Sequence, residues 1–459
     1  METKKFSIHF VGIGGIGMSG LAHVLTMQGH TVSGCDKDLS QKSILHLQSI
    51  GCSIIEGHGS PECTEKTYDC LVYSSMTAHH QELVIAQKKG TFIVHRSIIL
   101  AELMKKYKSI AITGSHGKTT TSALISHILI ESHYDPTIII GGHFTGTNCN
   151  ARFGKGAYLV AEADESDRSL LHLFPSIAVI TNISPEHLDV YENVHDITHT
   201  MQLFINRLPF DGTAIIGIDN PHLQTLLPQK NHRVITFGFH QSADVIITIK
   251  ELQPQGSTFT IRHNNIDLGL FSIQLPGKHS LLNAAAAYAA AYVTGIPLQD
   301  IKKAIASFNG VERRFSFRGT FNNALVYDDY GHHPVEIENS LKVARQTTTG
   351  PLTVVFQPHR FTRTAFLWND FITTFLKSSI DHLIITDIHA ASEQAIDTIS
   401  SHNLVEAIKK QHPSFSLSYV PLDDNFEAIK LSLKNLSGGT LLFQGAGSLN
   451  RLAELISHK

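Results

Sequence analysis

The chain has 459 residues, of which 42% are hydrophobic and 17% charged, a balance that excludes a disordered or fibrous protein. Its formal charge of −3 excludes the clustered basic excess of a broad nucleic-acid footprint. A chain this long exceeds one compact core and is read as about three domains. Cys35, Cys52, Cys63, Cys70 and Cys149 show no CxxC spacing and are odd in number, so they read as free thiols of a reducing compartment. Lys4 and Lys5 precede an apolar stretch. His9, His23 and five glycines interrupt it, and no small-residue cleavage pattern follows Leu25, so export is not expected. The alanine-rich run Ala284–Val293 is too short to span a bilayer and reads as a packed helix. The expectation is a cytoplasmic protein with no nucleic-acid, membrane or obligate protein partner.

In chain order, Phe6–Val11 reads as a buried strand, Met18–Gln28 as a helix, and Thr31–Cys35, Cys70–Ser74 and Phe92–Val94 as further strands. Such alternation implies a parallel sheet covered by helices. The pattern restarts with strand Lys108–Thr113, helix Lys118–Ser132 and strands Ala157–Ala161 and Ile177–Asn182. Between Ile235 and Gln274, polar and apolar residues alternate, as in Asp244–Lys250 and Thr258–Arg262, which predicts antiparallel strands. A third restart after Arg314 gives strands Leu352–Gln357, His382–Asp387, Phe415–Tyr419 and Thr440–Gln444. The expected fold is α/β in three domains, 1–107, 108–312 and 313–459. The first and last are Rossmann-like and the middle one a mixed P-loop-type ATPase.

Six segments carry chemistry. Gly12-Ile13-Gly14-Gly15-Ile16-Gly17 follows the first strand and opens a helix, where glycines let backbone approach a diphosphate held at the helix N-terminus. Asp36, 22 residues beyond Gly14, ends the next strand, where an acid can bind a ribose hydroxyl. Alone, this predicts NAD and a dehydrogenase. Gly114-Ser115-His116-Gly117-Lys118-Thr119-Thr120-Thr121 again links strand to helix. Its backbone would cradle phosphates, with Lys118 on the β/γ oxygens and the Thr119 hydroxyl on Mg2+. Its GxxGK[ST] spacing is two residues shorter than the common form. Glu162-Ala163-Asp164-Glu165-Ser166-Asp167 places carboxylates at a strand's C-terminal end, suited to Mg2+ or, more blandly, to a solvated turn. Thr181–Asp189 puts His187 and Asp189 near the same sheet edge, where local sequence by itself favours a surface or capping histidine. In the last third, Asp328–Pro334 contains His332-His333, which lacks a further ligand at zinc spacing. Pro358–Thr364 carries Arg360 and Arg363, suited to clamping an anion or to a solvated helix start.

These segments, in this order and across essentially the whole chain, resemble the Mur ligase family. The resemblance implies a UDP-sugar-binding N-terminal domain, a central ATPase, and a C-terminal domain that closes over both. It implies that Gly12, Gly14, Gly15, Gly17 and Asp36 hold a UDP diphosphate and not NAD. Gly114, Ser115, His116, Gly117, Lys118, Thr119 and Thr120 would hold ATP, Thr119 and Glu162 one Mg2+, and His187 a second. Asn283 would contact adenine, and Arg314 and Asp329 would reach the nucleotide. Tyr330, His332, Arg360 and Arg363 would surround the amino acid and the reacting carboxylate, with Lys118, His332, Arg360 and Arg363 catalytic. Within the family the motifs are most similar to the branch that adds L-alanine to UDP-N-acetylmuramate in peptidoglycan synthesis, including its lack of a modified lysine. The alternatives are the recycling branch, which attaches a tripeptide, a dehydrogenase, and a non-catalytic nucleotide-binding scaffold.

Overall fold

The computed structural model describes residues 4–142, 150–187, 190–226, 232–253, 255–391 and 393–457. Cys149 and Asp189 lie outside the described residues. The chain divides into two compact units, one of Met1–Glu251, Thr258–Gln274 and Lys278–Val311, the other of Leu252–Ser257, Leu275–Gly277 and Glu312–Lys459. Three sheets carry the architecture.

The first sheet holds β1 (Ser7–Val11), β2 (Thr31–Asp36), β3 (Ser53–Glu56), β4 (Cys70–Tyr73) and β5 (Phe92–His95), all parallel, in the order β3-β2-β1-β4-β5. The winding reverses between β1 and β4. That is where an open parallel sheet leaves a crevice at its carboxyl edge, and the first glycine loop follows β1 there.

The second sheet is ten strands wide: β6 (Lys108–Thr113), β7 (Thr137–Ile139), β8 (Ala151–Arg152), β9 (Tyr158–Glu162), β10 (Ile177–Ile180), β11 (Thr213–Gly217), β12 (Arg233–Gly238), β13 (Val245–Gln253), β14 (Gly256–His263) and β15 (Ile266–Ile273). Its order is β15-β14-β13-β12-β11-β10-β6-β9-β7-β8, so β6 lies between β10 and β9, parallel to both. Three of the motifs therefore leave neighbouring strands at one edge: the lysine loop after β6, the acidic run at the end of β9, and Thr181–His187 after β10. The central strands β6, β9 and β10 are buried along most of their length, and their apolar runs Ile110–Ile112, Tyr158–Ala161 and Ile177–Ile180 are those of strands covered on both faces. Helix Lys118–Glu131 packs on helix Lys278–Val293, whose alanines 284–287 and 289–290 are wholly buried. Small side chains allow that close approach, and larger ones would overpack it.

The third sheet holds β16 (Ser316–Phe321), β17 (Ala324–Asp329), β18 (Leu352–Phe356), β19 (His382–Ile385), β20 (Leu417–Tyr419) and β21 (Thr440–Gln444), in the order β16-β17-β21-β18-β19-β20. All pairs are parallel except the hairpin β16–β17. The loops after β17 and β18 carry Tyr330–His333 and His359–Arg363 from one carboxyl edge. The α/β class and the strand restarts agree with the sequence reading. Strands β3, β7, β8, β11, β16 and β17 lie outside the expected set, and β13 pairs with β12 in parallel. Cys35, Cys52, Cys63 and Cys70 are free and buried.

Candidate active site

The first glycine loop is tied to the sheet beneath it. Gly12 N and Ile13 N donate to Cys35 O at 2.9 and 3.1 Å, and Gly14 N donates to Asp36 Oδ2 at 2.8 Å. Asp36 Oδ1 also accepts from Asp38 N and Gln41 Nε2, so its carboxylate braces the loop from below. A Cβ at Gly14 would stand 2.9 Å from Asp36 and Gln41, and one at Gly17 would stand 3.1 Å from the Arg96 guanidinium. Gly15 is the residue before helix Ile16–Met27. Arg96, which the motifs did not single out, thus lies against the start of this helix and donates to Asp164 Oδ2 at 2.6 Å. The signal for it was a basic residue directly after the strand Phe92–His95, at the carboxyl edge of the same sheet.

The second loop is gripped by residues that follow β10. Ser115 N donates to Asn182 O at 3.0 Å and His116 N to Asn182 Oδ1 at 2.9 Å, while Thr181 Oγ1 and Asn182 Nδ2 both donate to His116 O. Gly114 has φ +124°, and a Cβ there would meet Thr181 Oγ1 at 2.3 Å, so only glycine fits. Gly117, at φ +83°, begins helix Lys118–Glu131, and a Cβ on it would meet Asn283 Oδ1 at 2.6 Å. Asn283 is buried and also accepts from Thr121 Oγ1 at 3.2 Å. Because the Ser115 and His116 amides already have acceptors, the donors suited to a phosphate are those of the helix's first turn, Lys118, Thr119 and Thr120. These have no intrahelical acceptor and sit at the positive end of the helix dipole.

Lys118 Nζ donates to Glu165 Oε1 at 2.6 Å, to Gly114 O at 2.5 Å and to Ser115 O at 3.2 Å. Burial alone would lower its pKa, but Glu165 more than offsets this and holds it raised, so the ammonium stays charged. His187 Nε2 lies 3.7 Å from Glu165 Oε1 and 3.9 Å from Glu186 Oε2. Burial opposes its charge, yet these carboxylates raise its pKa. His187 takes φ +54°, a left-handed conformation that costs a non-glycine residue about 1–2 kcal/mol and here turns the ring toward Glu165. Glu165, Glu186 and His187 each offer one donor atom within 4.8 Å of the others, and Glu165 Oε2 is buried without a hydrogen-bond partner among the described residues. A divalent cation fits that arrangement. Thr119 and Glu162 lie against consecutive glycines of a different turn. A Cβ on Gly142 would touch Thr119 Cγ2 at 2.8 Å, and Gly141 N donates to Glu162 Oε1 at 2.6 Å. Glu165 and Glu186 stood inside the quoted motifs without a role, since only folding shows which carboxylate faces the lysine. Asp164 binds Arg96 and its carboxyl is drawn down to about 2: burial opposes its charge, and Arg96 overcomes that.

In the second unit, Asp329 is a brace. Its oxygens accept from Phe315 N, Gly331 N, Ser340 Oγ and Gln444 Nε2 at 2.8–2.9 Å. Tyr330 lies beneath two guanidinium groups, with Arg313 at 4.9 Å and Arg314 at 5.4 Å from its ring centre, and Arg314 also pairs with Glu336 at 3.7 Å. His332 N donates to Glu336 Oε2 at 3.0 Å, and its ring packs 5.5 Å from that of His359, which stacks on His389 at 5.3 Å. Arg363 donates to His359 O at 3.2 Å. Burial pulls the His332 pKa down to about 4. For His359, burial and then His332 and Arg363 pull it to about 2. Both rings are therefore neutral at pH 7. Arg360, at φ +69°, opens helix Phe361–Phe366, its N–H on His389 O at 2.8 Å and its guanidinium 3.9 Å from Glu393. His333 turns away to cap helix Pro334–Thr347, accepting from Val335 N at 3.3 Å, so the His-His pair is divided between two tasks. His359 lies inside the Pro358–Thr364 motif with no role assigned to it there, and His389, Glu336 and Glu393 lie outside the sequence reading, because their pairing depends on how the loops at adjacent strand ends meet.

Family models match three successive stretches: "Mur ligase family, catalytic domain" at residues 7–108, "Mur ligase middle domain" at 112–291 and "Mur ligase, glutamate ligase domain" at 313–447. A Syntrophotalea carbinolica protein named UDP-N-acetylmuramate–L-alanine ligase is 39% identical over 460 residues, covering 100% of this chain and 98% of its own. A Syntrophus aciditrophicus protein of the same name is 40% identical over 455 residues, covering 98% and 92%. Among solved structures, the UDP-N-acetylmuramate-alanine ligase MurC of Thermotoga maritima matches with a TM-score of 0.82 at 25% identity, over 98% of both chains. The Psychrobacter arcticus murein peptide ligase matches with a TM-score of 0.74 at 22% identity over 99% and 100%, a likeness of fold alone. The chain belongs to the Mur ligase family.

Proposed function

We propose that this chain joins L-alanine to the carboxylate of UDP-N-acetylmuramate in peptidoglycan precursor synthesis, with ATP as co-substrate and Mg2+ bound. Full-length similarity to relatives named for that reaction carries the reading. The Lys118–Glu165 ion pair behind the helix-opening loop, its carboxylate buried, supports the ATP half of it. Residues 1–107 are assigned to the UDP-sugar, 108–312 to ATP and 313–459 to the amino acid. Among the described residues no helix is long and apolar enough to cross a membrane; a cytoplasmic location is part of the proposal.

A carboxylate oxygen of the sugar nucleotide attacks the γ-phosphorus, ADP leaves, and an acyl phosphate forms. The alanine nitrogen then attacks the acyl carbon, and phosphate departs with the oxygen that made the attack. Lys118 and the first-turn amides neutralise charge on the transferring group, and phosphoryl transfer depends chiefly on such positioning. Bound Mg2+ supplies further charge neutralisation, with Glu165, Glu186 and His187 as one donor set and Thr119 with Glu162 as the other. Arg360 and Arg363 suit the alanine carboxylate, and neutral His332 suits the proton released as the amine becomes an amide. Asp36 is committed to Gly14, Asp38 and Gln41, which disfavours the ribose contact of a dehydrogenase.

The test is phosphate release from MgATP with UDP-N-acetylmuramate, offering L-alanine, other amino acids or the tripeptide in turn. Release that needs both the sugar nucleotide and L-alanine is expected. Release with the tripeptide alone would move the chain to the recycling branch.

A further inference from the structure

Behind the first glycine loop lies a cluster of side chains that ligation does not use. The two-residue period of a strand puts His9 on β1 and Cys35 on β2 on the same face of the sheet, through the register His9↔Ser33 and Val11↔Cys35. Helix Pro61–Thr64 adds Cys63, and the donor atoms of His9, Cys35 and Cys63, all buried, lie within 4.8 Å of one another. A second triple of Cys35, His58 and Glu82 shares the same sulfur. Cys35 Sγ is 3.1 Å from Glu82 Oε1 and 3.1 Å from His58 Nδ1. His9 is fully buried. Its Nδ1 meets Ser33 Oγ at 2.9 Å, and its Nε2 has no hydrogen-bond partner among the described residues. An orphaned ring nitrogen beside two thiols and a carboxylate is costly in an apolar interior unless something occupies it.

We propose that His9, Cys35, Cys63 and Glu82 form a binding site for a thiophilic divalent cation of the zinc class, with His58 hydrogen-bonded alongside. Two sulfurs, one imidazole nitrogen and one carboxylate oxygen make the mixed soft set that zinc accepts tetrahedrally, at about 2.3 Å to sulfur and about 2.0–2.2 Å to nitrogen and oxygen. On binding, the two thiols release their protons to solvent and remain as thiolate ligands. Cys35 O accepts from Gly12 N and Ile13 N at 2.9 and 3.1 Å, which ties the site to the glycine loop and makes metal occupancy a means of stiffening it. The inference rests on the packing of the first sheet and is independent of which reaction the chain performs.

Reduced, metal-free full-length protein is titrated with Co2+, which reports thiolate ligation by a sulfur-to-cobalt charge-transfer absorption. A band saturating at one equivalent and bleached by Zn2+ is expected in the wild type, absent in Cys63→Ser and weakened about 10-fold or more in affinity in His9→Gln. The oxygen and nitrogen donors around His187 give no such band. Circular dichroism of the metal-free variants confirms that each is folded. Absence of the band in the wild type overturns the proposal, as does an undiminished band in either folded variant.

Discussion

The Lys118–Glu165 pair offers a quantitative handle on the ATP-binding half of the molecule. Glu165 is 3% exposed and Lys118 20%, with 2.6 Å between their charged atoms. Removing one partner of a fully buried pair costs about 3–5 kcal/mol, because the other charge is left uncompensated. The partial exposure of Lys118 lowers the expectation to about 2–3 kcal/mol for Glu165→Gln. Lys118→Met is expected to cost a similar amount, since Glu165 then keeps an orphaned carboxylate in place of an ion pair. In the double variant neither charge remains, so its loss should fall short of the sum by at least about 1.5 kcal/mol. For a domain of 150–250 residues each kcal/mol moves Tm by about 2–4 °C, so each single variant should melt roughly 4–12 °C lower. Hydrogen exchange within Lys118–Glu131 assigns the effect to the correct domain in a chain that need not unfold in one step. Additive losses, or single losses below about 0.5 kcal/mol, would mean that solvent screens the pair and that the buried-charge reasoning is wrong.

Gly114→Ala should destabilise the central domain by more than about 2 kcal/mol and abolish ATP-dependent phosphate release, since φ is +124° and the new Cβ has no room beside Thr181; a melting curve and a phosphate assay check this. Arg360→Lys keeps the charge but loses the planar fork, and should raise KM for L-alanine about tenfold while leaving the melting temperature within about 2 °C. His332 is held neutral with a pKa near 4 against an ordinary 6.5, so the unfolded chain binds more protons throughout that window. Stability of the second unit should therefore be complete above pH 6.5 and fall as pH drops toward 4, and His332→Gln should flatten that slope in denaturant titrations.

The strand–helix alternation, the glycine loops and the acidic run were legible because each is local: a backbone turn, a period, a charge at a strand end. β17 could have been found, since Asn322 and Asn323 both take positive φ in the turn of its hairpin and Asn-Asn is a turn signal. β7 has only three residues, too few to show a period. Which acid faces Lys118 was not legible. Glu162 and Glu165 lie in one run, and their division between Gly141 and Lys118 depends on how the chain leaves β9. Asp36 illustrates a different limit: spacing placed it correctly beside the glycine loop, but only the fold shows its carboxylate accepting from Gly14 N. The pairing of Arg96 with Asp164 joins residues 68 apart that follow strands of different sheets, beyond any periodicity argument.

The central claim is that the sugar-nucleotide carboxylate is activated by phosphorylation before the amine attacks. It is tested most directly with UDP-N-acetylmuramate carrying oxygen-18 in that carboxylate, incubated with MgATP, L-alanine and the full-length protein. One labelled oxygen should appear in each inorganic phosphate released and one should remain in the new amide. Unlabelled phosphate alongside amide formation would contradict the acyl-phosphate route.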